Sequence, residues 1–219
     1  MDTLANDRAR IDFNDLKKPV VKRILFIGAT IAVLQQWCGI NTVFSYADEI
    51  FTAAGYGVSE MLLNVVLVGS VNLVFTLIAM RLIDRLGRRF LLLLGYGGLA
   101  LIFAFFGGFY LIGLKGIIML ISVMMATALY AMTLAPTTWV VLSEIFPNRV
   151  RGVAMSIATT ALWSACFLLT YTFPSLNSSM GASGTFWLYG GICLLGFFFI
   201  RKYLVETKGK SLEEIEAEL

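Results

Sequence analysis

Six apolar runs of about twenty residues or more constrain the fold of this chain more than any other feature. They cover roughly residues 22–50, 61–83, 90–112, 116–143, 152–173 and 185–204. The hydrocarbon core of a bilayer is about 30 Å thick, and a helix needs about 20 apolar residues to cross it. The runs are continuous rather than alternating, which excludes a β-barrel. Only 14% of the residues are charged, against about 25% in soluble domains. The sequence therefore predicts an all-α membrane protein with six transmembrane helices.

The basic residues indicate the orientation of these spans. If the chain crosses six times, sixteen of the 17 Lys and Arg residues fall on one side and only Lys115 falls on the other. Basic loops are retained in the cytoplasm, so both termini are predicted to be cytoplasmic. The first nineteen residues mix acids with bases and have no apolar core, so they do not resemble a secretory signal.

The composition also excludes several kinds of chemistry. Histidine is absent, and Cys38, Cys166 and Cys193 have neither metal-ligand nor CxxC spacing. No acid or base lies in the middle of a span, and no glycine-rich segment has the strand and helix context of a nucleotide site. We therefore expect no enzyme activity, no metal, no cofactor and no nucleic-acid partner.

Uncharged polar residues lie inside four of the spans, where they need partners or a polar cavity. The segment "QQWCGIN" carries Gln35, Gln36 and Asn41. Amides both donate and accept hydrogen bonds, which suits a neutral ligand rich in hydroxyl groups. The alternative is that each amide makes an ordinary hydrogen bond between helices, and the same alternative applies to Asn72 in the second span.

The spacing of the amides predicts a break in the first helix. At about 100° per residue, Gln35 and Asn41 face different sides of a continuous helix. They converge only if the helix unwinds near Gly39, which tolerates unusual dihedral angles, and broken helices recur at transporter binding sites. Pro136 predicts a second break, three residues before Trp139.

The tryptophans leave two interpretations open. Trp139 lies toward the cytoplasmic half of its span, where it fits either the interfacial belt or a site. Trp163 lies near mid-span, where its ring could stack on a sugar or pack in the protein.

Four segments resemble the sugar porter family within the major facilitator superfamily. They are "QQWCGIN", "SVNLVFTLIAMRLIDRLGRR", "APTTWVVLSEIFPNRVRG" and "ETKGKSLEEIE", in the order that the family has them. The family has twelve spans in two halves, so the resemblance implies that this chain is the C-terminal six-helix half. It also implies that residues 1–19 end the cytoplasmic linker between halves, that residues 20–204 form the bundle, and that residues 205–219 form a cytoplasmic tail.

The resemblance implies transport of a monosaccharide across the cell membrane by alternating access, either proton-coupled or facilitative. The positions that match sugar-binding residues of the family are Gln35, Gln36, Asn41, Asn72 and Trp139. Trp163 matches an aromatic position of some members. Leu162 stands where relatives carry an amide that contacts the sugar.

The resemblance further implies a cytoplasmic charge network that closes the inner side and parts when that side opens. It corresponds to Asp84, Arg85, Arg88, Arg89, Glu144, Arg151 and Glu206. Ordinary anchoring by positive charge explains the arginines but not the acids Asp84 and Glu144 beside them.

A six-helix half needs a partner besides its monosaccharide substrate and the lipid bilayer. That partner is either the N-terminal half or a second copy, because the two halves of this fold are parallel repeats that a C2 homodimer can imitate. The alternative function is a sugar-binding or structural membrane subunit that does not transport on its own.

Overall fold

A computed structural model describes residues 18–46, 52, 57–210 and 214–215, and most of these residues are helical. The helices are α1 (Pro19–Trp37), α2 (Ile40–Ser45), α3 (Val58–Leu86), α4 (Arg88–Leu111), α5 (Ile117–Met132), α6 (Leu134–Ile145) and α7 (Arg151–Tyr203). Most of the predicted linker, the end of the first predicted span and seven of the fifteen residues of the predicted tail lie outside the described residues.

Five helical segments of the described residues are long and apolar enough to cross a membrane. They are Pro19–Phe44, Leu62–Leu86, Arg88–Leu111, Ile117–Ile145 and Arg151–Tyr203. Two of them are broken helices, α1 with α2 and α5 with α6. The prediction of an all-helical membrane protein is thereby confirmed. The last two of the six predicted spans lie together in one segment, α7.

The segment α7 contains one interruption, at Gly181. Its 53 residues would extend about 80 Å as one helix, far more than the bilayer core of about 30 Å. Gly181 has φ +69° and ψ 173°, outside the helical region. We name the parts on either side α7a (151–180) and α7b (182–203).

Both parts of α7 return to the first broken helix, so the chain reverses direction at Gly181. In α7a, the carbonyl of Ala165 accepts a hydrogen bond from Trp37 Nε1 at 3.1 Å. In α7b, the Tyr189 hydroxyl accepts one from Thr42 Oγ1 at 3.3 Å. The sequence predicts a loop over residues 174–184, but this stretch is helical up to Gly181. Its serines and asparagine cost a helix only tenths of a kcal/mol each, so a glycine with positive φ is what ends it.

The helices α4 and α7b pack closely through small residues. A Cβ atom on Gly196 would lie 2.7 Å from the ring of Tyr96, and one on Gly107 would lie 2.6 Å from the Trp187 indole. Small residues let membrane helices approach each other. This pair forms one side of the bundle, and Trp187 Nε1 fixes it further by donating to the Ala104 carbonyl at 3.0 Å.

The helices α3 and α7a instead expose wide apolar faces. On α3 the exposed side chains include Leu62, Leu63, Val66, Leu73, Leu77 and Met80. On α7a they include Trp163, Phe167 and Tyr171, whose exposed fractions are 62%, 66% and 72%. Lipid or further helices therefore cover these two faces.

Candidate functional site

The first transmembrane segment is interrupted at Gly39. The helix α1 ends at Trp37 and α2 begins at Ile40, with Gly39 between them at φ +86°. A Cβ atom there would lie 2.4 Å from the ring of Tyr189. Only glycine combines the left-handed backbone with room for this ring, so the break requires a glycine at this position.

Across this break, two of the predicted amides meet. Asn41 Nδ2 donates a hydrogen bond to Gln36 Oε1, and Gln36 is 5% exposed. Asn41 Nδ2 also lies 3.7 Å from the thiol of Cys166 on α7a. The break therefore brings residues from both sides of Gly39 together and against α7a.

The third amide, Gln35, bonds to a residue that the sequence did not single out. Its Nε2 donates to the hydroxyl of Tyr130 at 2.6 Å. Its Oε1 is buried and accepts no hydrogen bond from the described residues. The sequence offered one signal for Tyr130, which lies three residues before a helix break. Nothing in the sequence linked it to Gln35, which lies 95 positions away along the chain.

The fourth predicted span is also broken, at Thr133 rather than at Pro136. The helix α5 ends at Met132, Thr133 has φ −121° and ψ −79°, and α6 begins at Leu134. Pro136 lies in the first turn of α6. The N–H groups of a first turn have no partner within the helix, so a proline there costs no helical hydrogen bond. The hydroxyls of Thr137 and Thr138 follow, fully buried and without partners among the described residues.

The other predicted site residues do not bond to the amides in the part of the chain that the structure describes. Asn72 is half-buried on α3, and Trp139 is 38% exposed on α6. Trp163 lies in an open groove of about 590 Å³ that residues of α7a alone line. Leu162 points away from this groove into the apolar core, where it is fully buried.

A second polar cluster lies at the other end of the bundle, around Arg88. Its Nη2 lies 2.9 Å from Glu144 Oε1 on α6 and 3.3 Å from Asp84 Oδ1 on α3. Thr207 Oγ1 donates to Glu144 Oε2 at 2.5 Å. The cluster therefore joins α3, α4, α6 and the residues that follow α7.

The carboxylate of Glu206 caps the start of α4. It accepts the backbone N–H groups of Arg88 at 2.8 Å and Arg89 at 3.0 Å, which lack partners within the helix. The same carboxylate accepts the N–H groups of Thr207 and Lys208, each at 3.1 Å. A negative charge at a helix N-terminus is also stabilised by the helix dipole.

The remaining predicted network residues bond to backbone instead. Arg89 Nη2 donates to the Arg201 carbonyl at 2.7 Å, and Arg151 Nε donates to the Phe146 carbonyl at 3.2 Å. The Arg85 carbonyl accepts a bond from the Lys208 ammonium at 2.8 Å. Arg151 lines a cavity of about 340 Å³ together with Glu144 and Thr207.

Comparison with known proteins identifies the family. A family model described as "Sugar (and other) transporter" matches residues 5–219. The chain belongs to this family.

Relatives within this sugar transporter family carry named activities. The glucose facilitated diffusion protein of Zymomonas mobilis is 37% identical over 199 residues, which cover 88% of this chain and 42% of that protein. The D-xylose-proton symporter of Escherichia coli is 38% identical over 200 residues, which cover 89% of this chain and 41% of the symporter.

Solved structures agree with this assignment. The inward-open xylose transporter XylE from E. coli matches with a TM-score of 0.80 and 37% identity, over 89% of this chain and 42% of XylE. XylE bound to 6-bromo-6-deoxy-D-glucose matches with a TM-score of 0.82 and 34% identity, over 99% of this chain and 48% of XylE. The described helices thus have the fold of part of a major facilitator transporter.

Membership of the family confirms two expectations. It is a family of transporters, so the chain is not an enzyme, and it is a multi-pass protein of the plasma or inner membrane. The chain spans only 42% and 41% of the length of the two relatives.

Proposed function

We propose that the chain is the C-terminal six-helix half of a monosaccharide transporter that works by alternating access, with both ends in the cytoplasm. The reversal of the chain at Gly181 supports six crossings, and the basic residues at the α3–α4 and α6–α7a connections support the orientation. Relatives of about twice the length support the assignment to one half.

The observation that carries the proposal is the incomplete hydrogen bonding of the amides at membrane depth. Gln35 is 3% exposed, yet its Oε1 has no partner among the described residues. A buried polar atom without a partner costs about 1–3 kcal/mol, so such an atom is expected to meet a ligand or water. The amides of Gln36 and Asn41, which belong to the same broken segment, bond to each other.

In this proposal the amides Gln35, Gln36 and Asn41 form one wall of a sugar site, and Asn72 and Trp139 extend it. The amides exchange hydrogen bonds with sugar hydroxyls, whereas Trp139 packs on the ring. Trp163, on its open groove, contributes an aromatic face once the opposite wall is present. The breaks at Gly39 and Thr133 shape this wall, and Pro136 lies in the first turn after the second break.

The opposite wall comes from a second six-helix half. The exposed apolar faces of α3 and α7a favour a protein partner there, because Trp163 and the threonines of the adjacent groove suit another protein surface better than lipid tails. This second half is either the N-terminal half of the same transporter or another copy of this chain in a C2 dimer.

The cytoplasmic cluster acts as a latch in this proposal. The Arg88–Glu144 pair and the Glu206 cap hold α3, α4, α6 and the tail together on the inner side. Separation of these contacts accompanies opening to the cytoplasm, and the remaining members, Asp84, Arg85, Arg89 and Arg151, stabilise the closed arrangement.

Uptake of labelled xylose and glucose into proteoliposomes tests the function. The intact protein is reconstituted, with its partner half where that half is a separate chain. Saturable uptake that unlabelled sugar inhibits is expected. Binding without uptake would leave only the alternative of a sugar-binding subunit, and neither binding nor uptake would leave a structural subunit.

Substitution of the amides tests the site. Gln36→Ala and Asn41→Ala are each expected to raise the KM for uptake by a factor of about two to ten, since each removes a hydrogen bond worth about 0.5–1.5 kcal/mol. The matched control is Asn148→Ala, which removes an exposed amide in the connection between α6 and α7a and is expected to leave uptake unchanged. An unchanged KM in both site variants would exclude these amides from the site.

A further inference from the structure

The hydroxyl of Tyr130 stands out as the one described side-chain partner of Gln35. Tyr130 is 8% exposed and lies near the end of α5, two residues before its last residue. The bond is short and joins two buried groups from different broken helices. It therefore fixes the side chain of Gln35 relative to α5.

The direction of this bond decides what Gln35 offers to a ligand. An amide has one acceptor oxygen and one donor NH₂ group, and a tyrosine hydroxyl can bond to either. Here the NH₂ group of Gln35 donates to Tyr130, which leaves Oε1 without a partner among the described residues. The group that Gln35 presents is consequently an acceptor.

The backbone at Gln35 is fixed as well. The thiol of Cys38 donates to the Gln35 carbonyl at 2.9 Å, in the last turn of α1 before the break at Gly39. With both its backbone and its NH₂ group held, Gln35 has little freedom to turn Oε1 away. Its acceptor is thus oriented before any ligand arrives, and this saves the entropy of ordering it on binding.

We infer that Tyr130 is a positioning and specificity-determining residue, which holds Gln35 so that Oε1 accepts a hydrogen bond from one hydroxyl of the sugar. This inference rests on the proposed sugar-binding function. It adds a chemical requirement, since the sugar must donate at that position and cannot merely accept.

Sugar analogues distinguish donation from acceptance. A deoxy analogue lacks the hydroxyl, whereas a deoxyfluoro analogue has a weak acceptor in its place and no donor. We expect one ring position at which both analogues bind about tenfold more weakly than the parent sugar. If the fluoro analogue keeps most of the affinity there, Gln35 donates instead and the inference is overturned.

The substitution Tyr130→Phe removes only the hydroxyl. The amide of Gln35 is then free to rotate, so the parent sugar is expected to bind several-fold more weakly. The preference for a donor at the recognised position is expected to fall from about tenfold to about threefold or less. A uniform loss for all analogues, with the preference unchanged, would mean that Tyr130 has only a structural role.

Two comparisons keep this test specific. Tyr96→Phe is the matched control, because Tyr96 is also buried but its hydroxyl has no partner among the described residues; it is expected to leave the preference unchanged. Gln35→Ala is expected to abolish the preference, and adding Tyr130→Phe to it should change nothing further, as for two residues that act as one unit.

The measurement is competition of each analogue against labelled parent sugar in the intact protein. If the unsubstituted protein binds no sugar, the proposed function fails and this inference fails with it. If it binds sugar but Tyr130→Phe keeps the full preference, only this inference fails.

Discussion

The two polar clusters of this protein, one among the amides of the first broken helix and one around Arg88 at the other end of the bundle, differ in how completely their oxygen atoms are hydrogen-bonded. All four carboxylate oxygens of Glu144 and Glu206 accept bonds, from Arg88, Arg89, Thr207 and Lys208. Among the amides, Gln35 Oε1 has no partner within the described residues, and neither do the buried hydroxyls of Thr137 and Thr138.

We propose that this difference separates a structural cluster from a site that awaits a ligand. A half-buried carboxylate needs every bond it can accept, and four parts of the chain supply these bonds around Arg88, although Arg89 Nε there is buried without a partner among the described residues. An unpaired polar atom costs most inside a bilayer. An acceptor that has no protein partner there is therefore expected to bond to a ligand or to water. The predictions below act on one cluster at a time.

The largest effect is expected for Gly39→Ala, which strains the break beneath the amides. The new methyl group would need a positive φ and would overlap the ring of Tyr189, at a cost of about 3 kcal/mol. We expect a loss of thermal stability and of sugar uptake. Gly191→Ala is the control, because a Cβ atom there meets nothing within 4 Å; equal effects of the two substitutions would contradict the assignment of the break.

Glu144→Gln is expected to have the next largest effect, about 2 kcal/mol, because it leaves the mostly buried charge of Arg88 without its main partner. The side chain of Arg88 is only 13% exposed. Asp84→Asn is the matched control on the same arginine. Asp84 is 76% exposed, so its loss should cost less than about 1 kcal/mol. Thermal unfolding in lipid measures both, and a reversed order would refute the latch.

Glu206→Gln is expected to destabilise the first turn of α4 by about 1 kcal/mol. The amide keeps only one acceptor oxygen, so one of the N–H groups of Arg88 and Arg89 loses its acceptor, and the charge at the helix N-terminus is lost. Hydrogen exchange of the Arg88 and Arg89 amides is the measurement, and faster exchange is expected there. The amides of α2 serve as the internal control, and their exchange should not change.

Tyr189→Phe is expected to have the smallest effect, about 0.5 kcal/mol, because its bond to Thr42 is long, at 3.3 Å. The ring that packs against Gly39 remains. Hydrogen exchange of the α2 amides should accelerate slightly, whereas exchange of the Arg88 and Arg89 amides should not change. A loss of stability as large as that of Gly39→Ala would show that the hydroxyl, not the ring, supports the break.

The sequence was sufficient to predict what depends on local properties. Apolar runs longer than a bilayer is thick predicted the membrane helices, and the mismatch between Gln35 and Asn41 on one helix predicted a break near Gly39. The loop between the last two spans was predicted too long, because a serine-rich segment looks like a loop but forms a helix up to Gly181.

Contacts between distant residues were beyond sequence reasoning. Tyr130 meets Gln35 across 95 positions, and Thr207 meets Glu144 across 63 positions. Nothing in either local sequence marks the pairing, because it depends on how broken helices and a tail pack in three dimensions. The resemblance to the family predicted the acids and arginines of the cluster around Arg88, but it did not predict that Thr207 bonds to Glu144.

The most direct test of the central claim is the shift in melting temperature that sugar produces in two variants of the intact protein. A ligand that binds only the folded state stabilises it by RT ln(1 + [L]/Kd), so a weaker site gives a smaller shift at the same sugar concentration. Gln36→Ala should melt near the unsubstituted protein but lose the sugar-induced shift, whereas Glu144→Gln should melt lower and keep the shift. A full shift in Gln36→Ala, or its loss in Glu144→Gln alone, would contradict the division between a sugar site and a structural latch.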